Sequence, residues 1–173
     1  MAQTDTPYRA KKHGYSSTQI ALHWTVAILV VANALIGDAM ANVFRASLRG
    51  EEVTNWGPAY MHAAIGLVIL LVMIARLAAR LNRPVEVAPD SPHRLLKVLA
   101  TINHWAFYAL LLAIPVLGAV AWFGGVAAAG DLHRLLIWVF WVLVLIHVGA
   151  ALLHHFVLRD GLIRRMIRPT GGT

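Results

Sequence analysis

The sequence predicts an all-α protein, an integral membrane four-helix bundle with both termini in the cytoplasm. Three observations support this fold class. Hydrophobic residues make up 59% of the 173 residues and charged residues 13%, against about 45 to 50% and about 25% in soluble proteins. Four apolar runs are long enough to cross a bilayer, and the basic residues lie mostly on one predicted side. The length suits a single domain, residues 1–173.

The four predicted spans follow one another with short connections. They cover residues 20–40, 59–81, 95–123 and 132–158, each near or above the about 20 residues that a membrane helix needs. We expect the first span to be retained, because its apolar stretch exceeds the about 7 to 15 residues of a cleaved signal peptide. Turn-forming and charged residues predict loops between the spans, at 41–58, 82–94 and 124–131.

The positions of the basic residues predict the orientation. With four spans, both termini and the loop 82–94 share one side, which holds twelve of the 15 Lys and Arg residues. The other side holds only Arg45, Arg49 and Arg134. Because positive loops stay in the cytoplasm, both termini are predicted there. The net charge of +7 is then explained by topology, and we expect no nucleic-acid partner.

Histidine is the residue type most indicative of chemistry. The chain has no cysteine, which excludes disulfides, thiolate metal sites, iron–sulfur clusters and thioether-attached haem. It has nine histidines, and an ionisable side chain within a span is costly and indicates function. Seven fall in predicted spans: His23, His62, His104, His133, His147 and His154, with His155 beside the last.

The spacing of these histidines predicts two pairs at different depths. His133 and His147 are 14 residues apart, which returns to within about 40° of one helix face and separates them by about 21 Å along the axis. His23 begins the first span on the cytoplasmic side, and His62 begins the second on the outer side. We therefore pair His23 with His147, the inner pair, and His62 with His133, the outer pair.

Two opposed imidazole pairs suit two six-coordinate haems, since a porphyrin leaves two axial positions on its iron. Without a cysteine anchor, both would be haem b. Zinc is the rival metal, but structural zinc needs three or four ligands at one point. The glycines Gly37, Gly66 and Gly149 near the histidines leave room for a planar ring, although helix packing alone also enriches glycine in membranes.

Arg76 is a further candidate for cofactor binding. It lies 14 residues after His62, so it projects from the same helix face near the level of the inner pair. Its guanidinium could pair with a haem propionate or an anionic quinone, or it could extend to lipid phosphates as an ordinary positive-inside residue. The sequence leaves these alternatives open.

Pieces from all four spans occur in the order typical of one known family. They are 17–24 (STQIALHW), Met61-His62 followed by Gly66, Asn103-His104 leading to 114–118 (IPVLG), Leu132-His133 with His147, and 154–156 (HHF). On these residues the chain resembles the bacterial four-helix cytochrome b561 family, in particular its members that oxidise superoxide and reduce ubiquinone.

The resemblance implies an oxidoreductase of the bacterial inner membrane, a transmembrane diheme b-type cytochrome with one haem on each pair. It implies that superoxide gives electrons at the outer face and that ubiquinone accepts them. It also implies a place for His154 in the inner quinone region, which its position seven residues after His147 allows geometrically. The segment 124–131 is shorter than usual in the family, which predicts a reduced outer cap.

Two other functions stay open at this stage. The chain could be a quinone-linked electron-transfer subunit that serves a redox partner, such as a periplasmic cytochrome or a dehydrogenase. It could also be a transporter of metal or solute, but transporters tend to show internal repeats and broken spans. We find no internal repeat.

Overall fold

A computed structural model describes residues 15–85, 94–159 and 161–169. This part of the chain contains six α-helices, one π-helix and no strand. The α-helices are α1 (Ser17–Leu35), α2 (Gly37–Leu48), α3 (Gly57–Asn82), α4 (Arg94–Gly124), α5 (Ala127–Leu153) and α6 (Leu162–Arg165), and the π-helix His154–Leu158 continues α5.

In the described part of the chain, four helices are long and apolar enough to cross a membrane, which confirms the predicted all-α class with four spans. They are α1, α3, α4, and α5 together with the π-helix. Most of their large apolar side chains are exposed on the protein surface, as a lipid-facing surface requires. The protein is therefore a multi-pass membrane protein. Most of the predicted loop 82–94 and the basic residues before position 15 lie outside the described residues.

The first span begins with a capping box and is tied to the end of α3. Ser16 Oγ accepts a hydrogen bond from the Gln19 backbone N–H, and the Gln19 side chain accepts one from the Ser16 N–H. The amide nitrogen of Gln19 also donates to the carbonyls of Ala79, at 3.4 Å, and Arg83, at 3.0 Å. This buried side chain thus ties the start of α1 to the end of α3. It gives the Arg83 carbonyl a donor and the Ala79 carbonyl a second one beside the Arg83 N–H.

The segment between the first two spans is not the loop predicted for 41–58. The first helix ends at Leu35, and α2 begins directly after Ile36 and continues to Leu48. The prediction of a span up to residue 40 was therefore wrong at its end, as was the assignment of a loop from residue 41. Polar residues alternate with apolar ones in α2, so a search for continuous apolar runs does not detect it.

The connection between α4 and α5 consists of Gly125 and Val126 alone. Gly125 has φ of 64°, the left-handed conformation in which glycine commonly ends a helix. The predicted loop 124–131 is mostly wrong, because α5 already begins at Ala127. Pro115 lies inside α4, yet the helix is continuous from Arg94 to Gly124.

The helices pack in chain order and leave one side of α5 uncovered. The spanning helix α1 packs against α3, α3 against α4, and α4 most extensively against α5. Within the described residues, α5 makes no comparable backbone packing with α1 or α3. A buried cluster of Val26, Ile69 and Met73 packs with side chains of α4, including Tyr108 and Leu111. The core therefore lies among α1, α3 and α4, and a gap separates α5 from α1 and α3.

The chain turns back after the π-helix and contacts the start of α1. Arg159 and Gly161 both have positive φ, 52° and 73°, which reverses the chain before α6. The Trp24 indole N–H donates to the carbonyl of Met166 at 2.9 Å, and the Arg165 guanidinium lies 5.8 Å from the centre of the Tyr15 ring. The C-terminal segment 161–169 thus contacts the residues at the start of α1.

Candidate functional site

The inner pair and the outer pair both face across the gap beside α5. The rings of His23 and His147 have centroids 6.5 Å apart and planes inclined at 53°. The rings of His62 and His133 have centroids 6.3 Å apart and planes inclined at 73°. In each pair one imidazole comes from α1 or α3 and the other from α5. The structure therefore places the four histidines as the two pairs that the sequence predicts.

These distances fit two ligands on opposite faces of one iron. Metal–imidazole bonds are about 2 Å long, and each nitrogen lies about 1 Å from its ring centre, so two such rings have centres about 6 Å apart. Since the helices that carry each pair do not pack closely on one another, a planar group can lie between them. Within the described residues no three His, Cys, Asp or Glu side chains gather as a metal site. The arrangement thus offers pairs of imidazoles rather than a cluster.

Aromatic rings surround the inner pair. The edge of Trp24 meets His23 at a centroid distance of 5.4 Å, and Phe107 meets His147 at 5.4 Å. His104 lies 5.5 Å from His147 and is fixed by a hydrogen bond of 2.7 Å between its Nδ1 and the carbonyl of Ala100. A third imidazole therefore borders the inner pair, although the histidine spacing alone left it without a partner.

One ring of the outer pair, that of His133, is positioned by α4. His133 Nδ1 lies 2.7 Å from the carbonyl oxygen of Ile114. A Cβ atom at Gly118 would lie 3.1 Å from Cε1 of the same ring and 3.2 Å from Nδ1. The absence of a side chain at Gly118 thus lets this imidazole lie directly on the surface of α4.

The other glycines near the histidines border open space. A Cβ atom at Gly37 or Gly149 would meet nothing within 4 Å, and one at Gly66 would meet only the side-chain nitrogen of Asn33, at 3.9 Å. These surroundings are compatible with a planar guest near both pairs.

A small cavity with several polar side chains in its lining lies beside the inner pair. Its volume is about 30 Å³. Nη1 of Arg76 is buried and has no hydrogen-bond partner among the described residues. A buried guanidinium is costly unless it is paired, so this atom favours an anionic group nearby. The residues that line the cavity are Tyr15, Gln19, Arg76, Arg80, Thr101, His104, Trp105 and Tyr108.

His154, the predicted quinone residue, lies elsewhere on this side of the bundle. It is buried and begins the π-helix, but it is not among the residues that line the cavity with Arg76. Single turns of π-helix occur frequently at functional sites because they displace side chains from the regular helical positions. The structure therefore does not join His154 and Arg76 in one pocket.

Aromatic rings form a cap at the end of the bundle next to the outer pair, and the arginines that the structure describes there have polar partners. Trp122 at the end of α4 contacts Phe44 of α2 and Trp56, at centroid distances of 6.3 and 5.8 Å. The predicted reduction of the cap is therefore offset by α2, which contributes Phe44. The outer arginines have polar partners: Arg45 donates to Asn42, Arg49 to Glu51 and Arg134 to Asp131. The hydrogen bonds from Arg49 lower the pKa of the Glu51 carboxyl, which favours its charged form.

Sequence reasoning missed several side chains that border the site. Gln19 and Tyr15 were not predicted to line a cavity with Arg76, and Gly118 was noted only as part of a motif. One signal was present for Gln19, since a glutamine near the start of an apolar span needs a buried partner. No sequence signal identifies the carbonyl of Ile114, because backbone groups carry no side-chain identity.

Comparisons with known proteins agree on one family. A sequence model of the family described as prokaryotic cytochrome b561 matches residues 14–169. Cytochrome b562 of Cereibacter sphaeroides is 36% identical over 156 aligned residues, 90% of this chain and 96% of that protein. The probable superoxide oxidase CybB of Yersinia pestis is 30% identical, over 91% of this chain and 98% of that protein. Cytochrome b561 homolog 2 of Escherichia coli K12 is 27% identical, over 96% of this chain and 95% of that protein.

Proposed function

Since this chain belongs to the prokaryotic cytochrome b561 family and is an electron-transfer cytochrome of a membrane, we propose that it holds two b-type haems and passes electrons from superoxide to ubiquinone. The proposal includes the bacterial inner membrane as location, with both termini in the cytoplasm, as the distribution of basic residues favours. Superoxide would then react at the outer face, and ubiquinone would bind on the inner side.

The observation that carries the diheme proposal is the presence of two imidazole pairs at one spacing. The centroid distances of 6.5 and 6.3 Å both match two axial ligands on one iron. Each pair faces the gap between α5 and the other helices. We assign His23 and His147 to the inner haem, and His62 and His133 to the outer haem.

The chain's own residues then have defined tasks. When bound, a haem b supplies a one-electron couple between ferric and ferrous iron. Two histidines would hold each haem iron, which would leave no position on the metal for superoxide or a quinone. The protein instead fixes the separation of the two sites and sets their potentials through axial histidine, burial and nearby charge.

On the inner side, Arg76 would bind an anionic oxygen. Its buried and unpaired Nη1 fits either a haem propionate or the reduced form of a quinone. Quinone reduction also consumes protons, and a buried histidine can supply them. His154, at the start of the π-helix, is our candidate for that role. Because it does not line the cavity with Arg76, the two residues would act at different edges of the quinone region.

Superoxide as the donor has support from one relative. The Yersinia pestis protein that is 30% identical to this chain is named a probable superoxide oxidase. Three arginines lie on the outer side and can attract an anion, but Arg49 and Arg134 each pair with a carboxylate. The pairing weakens that attraction, so we expect a modest dependence of the rate on salt.

The pairing of Arg49 and Arg134 with carboxylates favours a second function. With little uncompensated positive charge outside, the outer site can instead exchange electrons with a redox protein. The Cereibacter sphaeroides relative, at 36% identity, is named only as a cytochrome. The alternative is thus a quinone-linked subunit that serves a periplasmic cytochrome or a dehydrogenase.

One experiment separates these functions. The detergent-purified protein is analysed by anaerobic visible spectroscopy and haem quantification, then exposed to enzymatically generated superoxide with and without a ubiquinone analogue. Two haems per chain, reduced by superoxide and reoxidised by the quinone, support the oxidase. Superoxide dismutase must abolish the reduction. Two haems that superoxide does not reduce but a quinol does support the electron-transfer subunit. A protein without haem overturns both functions.

A further inference from the structure

The imidazole of His133 rests on α4 in a way that no other histidine of the two pairs does. Its Nδ1 lies 2.7 Å from the carbonyl oxygen of Ile114, and its ring lies so close to Gly118 that an added Cβ would be 3.1 Å away. Ile114 and Gly118 are one helical turn apart on α4 and hence on one face. Together they form a seat for the ring, which we call the His133 seat.

The seat fixes which nitrogen of His133 carries the proton. A backbone carbonyl oxygen can only accept a hydrogen bond, so Nδ1 must be the donor. Nε2 is then unprotonated and has its lone pair free for a metal. In the low dielectric of a membrane interior this hydrogen bond is stronger than in water. The seat therefore prepares His133 as a ligand before any metal is bound.

The inner pair lacks such a hydrogen bond. In the part of the chain that the structure describes, no ring nitrogen of His23 or His147 bonds to a carbonyl, and both rings are held by aromatic edges. The positive charge near the two pairs also differs, since Arg76 and Arg80 line the cavity beside the inner pair. The same ligand type thus occurs in two different electrostatic settings.

We propose that the His133 seat, formed by Gly118 and the Ile114 carbonyl, is a positioning device that lowers the reduction potential of the outer haem below that of the inner haem. Hydrogen-bond donation by a ligating imidazole makes it more basic, and a more basic ligand stabilises ferric iron relative to ferrous iron. Cationic arginines near the inner site favour its ferrous form and act in the same direction. The potential difference then favours electron movement from the outer side inwards. This inference rests on the proposed diheme function.

The test uses Gly118→Ala with Gly130→Ala as its matched control. Both variants add one methyl group where α4 and α5 meet, and both create a contact of 3.1 Å, but at Gly130 the contacted atom belongs to Phe44 rather than to a histidine. Each purified holoprotein is titrated anaerobically while the visible haem bands are recorded. His133→Ala identifies the spectral component of the outer haem.

In the native protein, the component that disappears in His133→Ala must have the lower midpoint potential. Gly118→Ala should shift that component to a higher potential and weaken outer haem retention about tenfold, and Gly130→Ala should change neither component. Selective loss of the outer haem in Gly118→Ala is the stronger form of the same result.

Three results would overturn the proposed role of the His133 seat. They are a higher native potential for the outer component, unchanged potentials in fully loaded Gly118→Ala, and an equal shift in Gly130→Ala. Loss of both haems together in Gly118→Ala likewise contradicts a local role. Failure of the diheme proposal is distinguishable, because the native protein would then lack two haems or His133→Ala would remove neither.

Discussion

The ring of His104 lies 5.5 Å from the ring of His147, nearer than the 6.5 Å that separates His147 from His23. Three imidazoles therefore meet at the inner site, and only two can be axial ligands of one iron. The hydrogen bond from His104 to the carbonyl of Ala100, in its own helix, indicates a position fixed by α4. His104 also lines the cavity that contains Arg76, which favours a role beside the haem.

We predict that His104→Ala retains two haems per chain, whereas His23→Ala retains one. Without His104 the cavity enlarges and loses a polar wall, so quinone-dependent reoxidation should slow while haem content stays unchanged. Haem quantification and stopped-flow reoxidation measure the two effects. A loss of one haem in His104→Ala, with both retained in His23→Ala, would exchange the roles of these two residues.

Removal of the outer pair should leave the inner haem intact. His62→Ala or His133→Ala deletes an axial ligand of the outer haem only, so haem content should fall by about half. The exposed His155 is the matched control, and His155→Ala should keep both haems. Simultaneous loss of both haem signals in the outer-pair variants would contradict independent sites.

Arg76 should matter more than a neighbouring arginine on the same helix. Arg76→Gln removes a cation whose buried Nη1 lacks a partner, so inner haem retention or the quinone KM should worsen by about 10- to 100-fold, as for a lost charge-assisted hydrogen bond of about 1.5 to 3 kcal/mol. The control is Arg83→Gln at the end of α3, outside the cavity. Equal effects of the two substitutions would indicate a general loss of positive charge instead.

Gln19 should contribute to stability through the end of α3. In Gln19→Ala the carbonyl of Arg83 loses its side-chain donor and that of Ala79 keeps only the Arg83 N–H, which should lower the free energy of unfolding by about 1 to 3 kcal/mol. Ser16→Ala removes only the cap of α1 and should cost about 1 kcal/mol. Thermal unfolding of the holoproteins in one detergent compares them. A larger loss for Ser16→Ala would show that the cap, not the tie to α3, dominates.

The C-terminal segment should become accessible when its tie to α1 is removed. Trp24→Phe deletes the indole donor to the Met166 carbonyl, so trypsin should cleave near Arg164 and Arg165 several times faster. Trp138→Phe, which changes an exposed tryptophan within α5, is the control. Unchanged cleavage in Trp24→Phe would show that other contacts hold the segment.

The sequence predicts the spans and both histidine pairs well because both depend on regular helix geometry. Continuous apolar runs define α3 and α4 to within two residues of their observed bounds, and a step of 14 residues places His133 and His147 on one face. Whether these residues bind haem stays a prediction. The helix α2 was missed because its polar residues interrupt the apolar run. The His133 seat was missed because it depends on a backbone carbonyl and on the close approach of two helices.

The two-residue connection joins α4 and α5 into one hairpin. The predicted haem ligands are therefore divided between this hairpin and the earlier helices α1 and α3. During synthesis, these helices can enter the bilayer as one hairpin and pack locally before the remaining contacts form. That hairpin carries His133 and His147, while α1 and α3 carry His23 and His62. Each cofactor would thus link the α4–α5 hairpin to α1 or α3 through its two ligands. Cofactor loading would then reinforce the core that α4 shares with α1 and α3, and two separately encoded halves should reassemble more completely when haem is supplied.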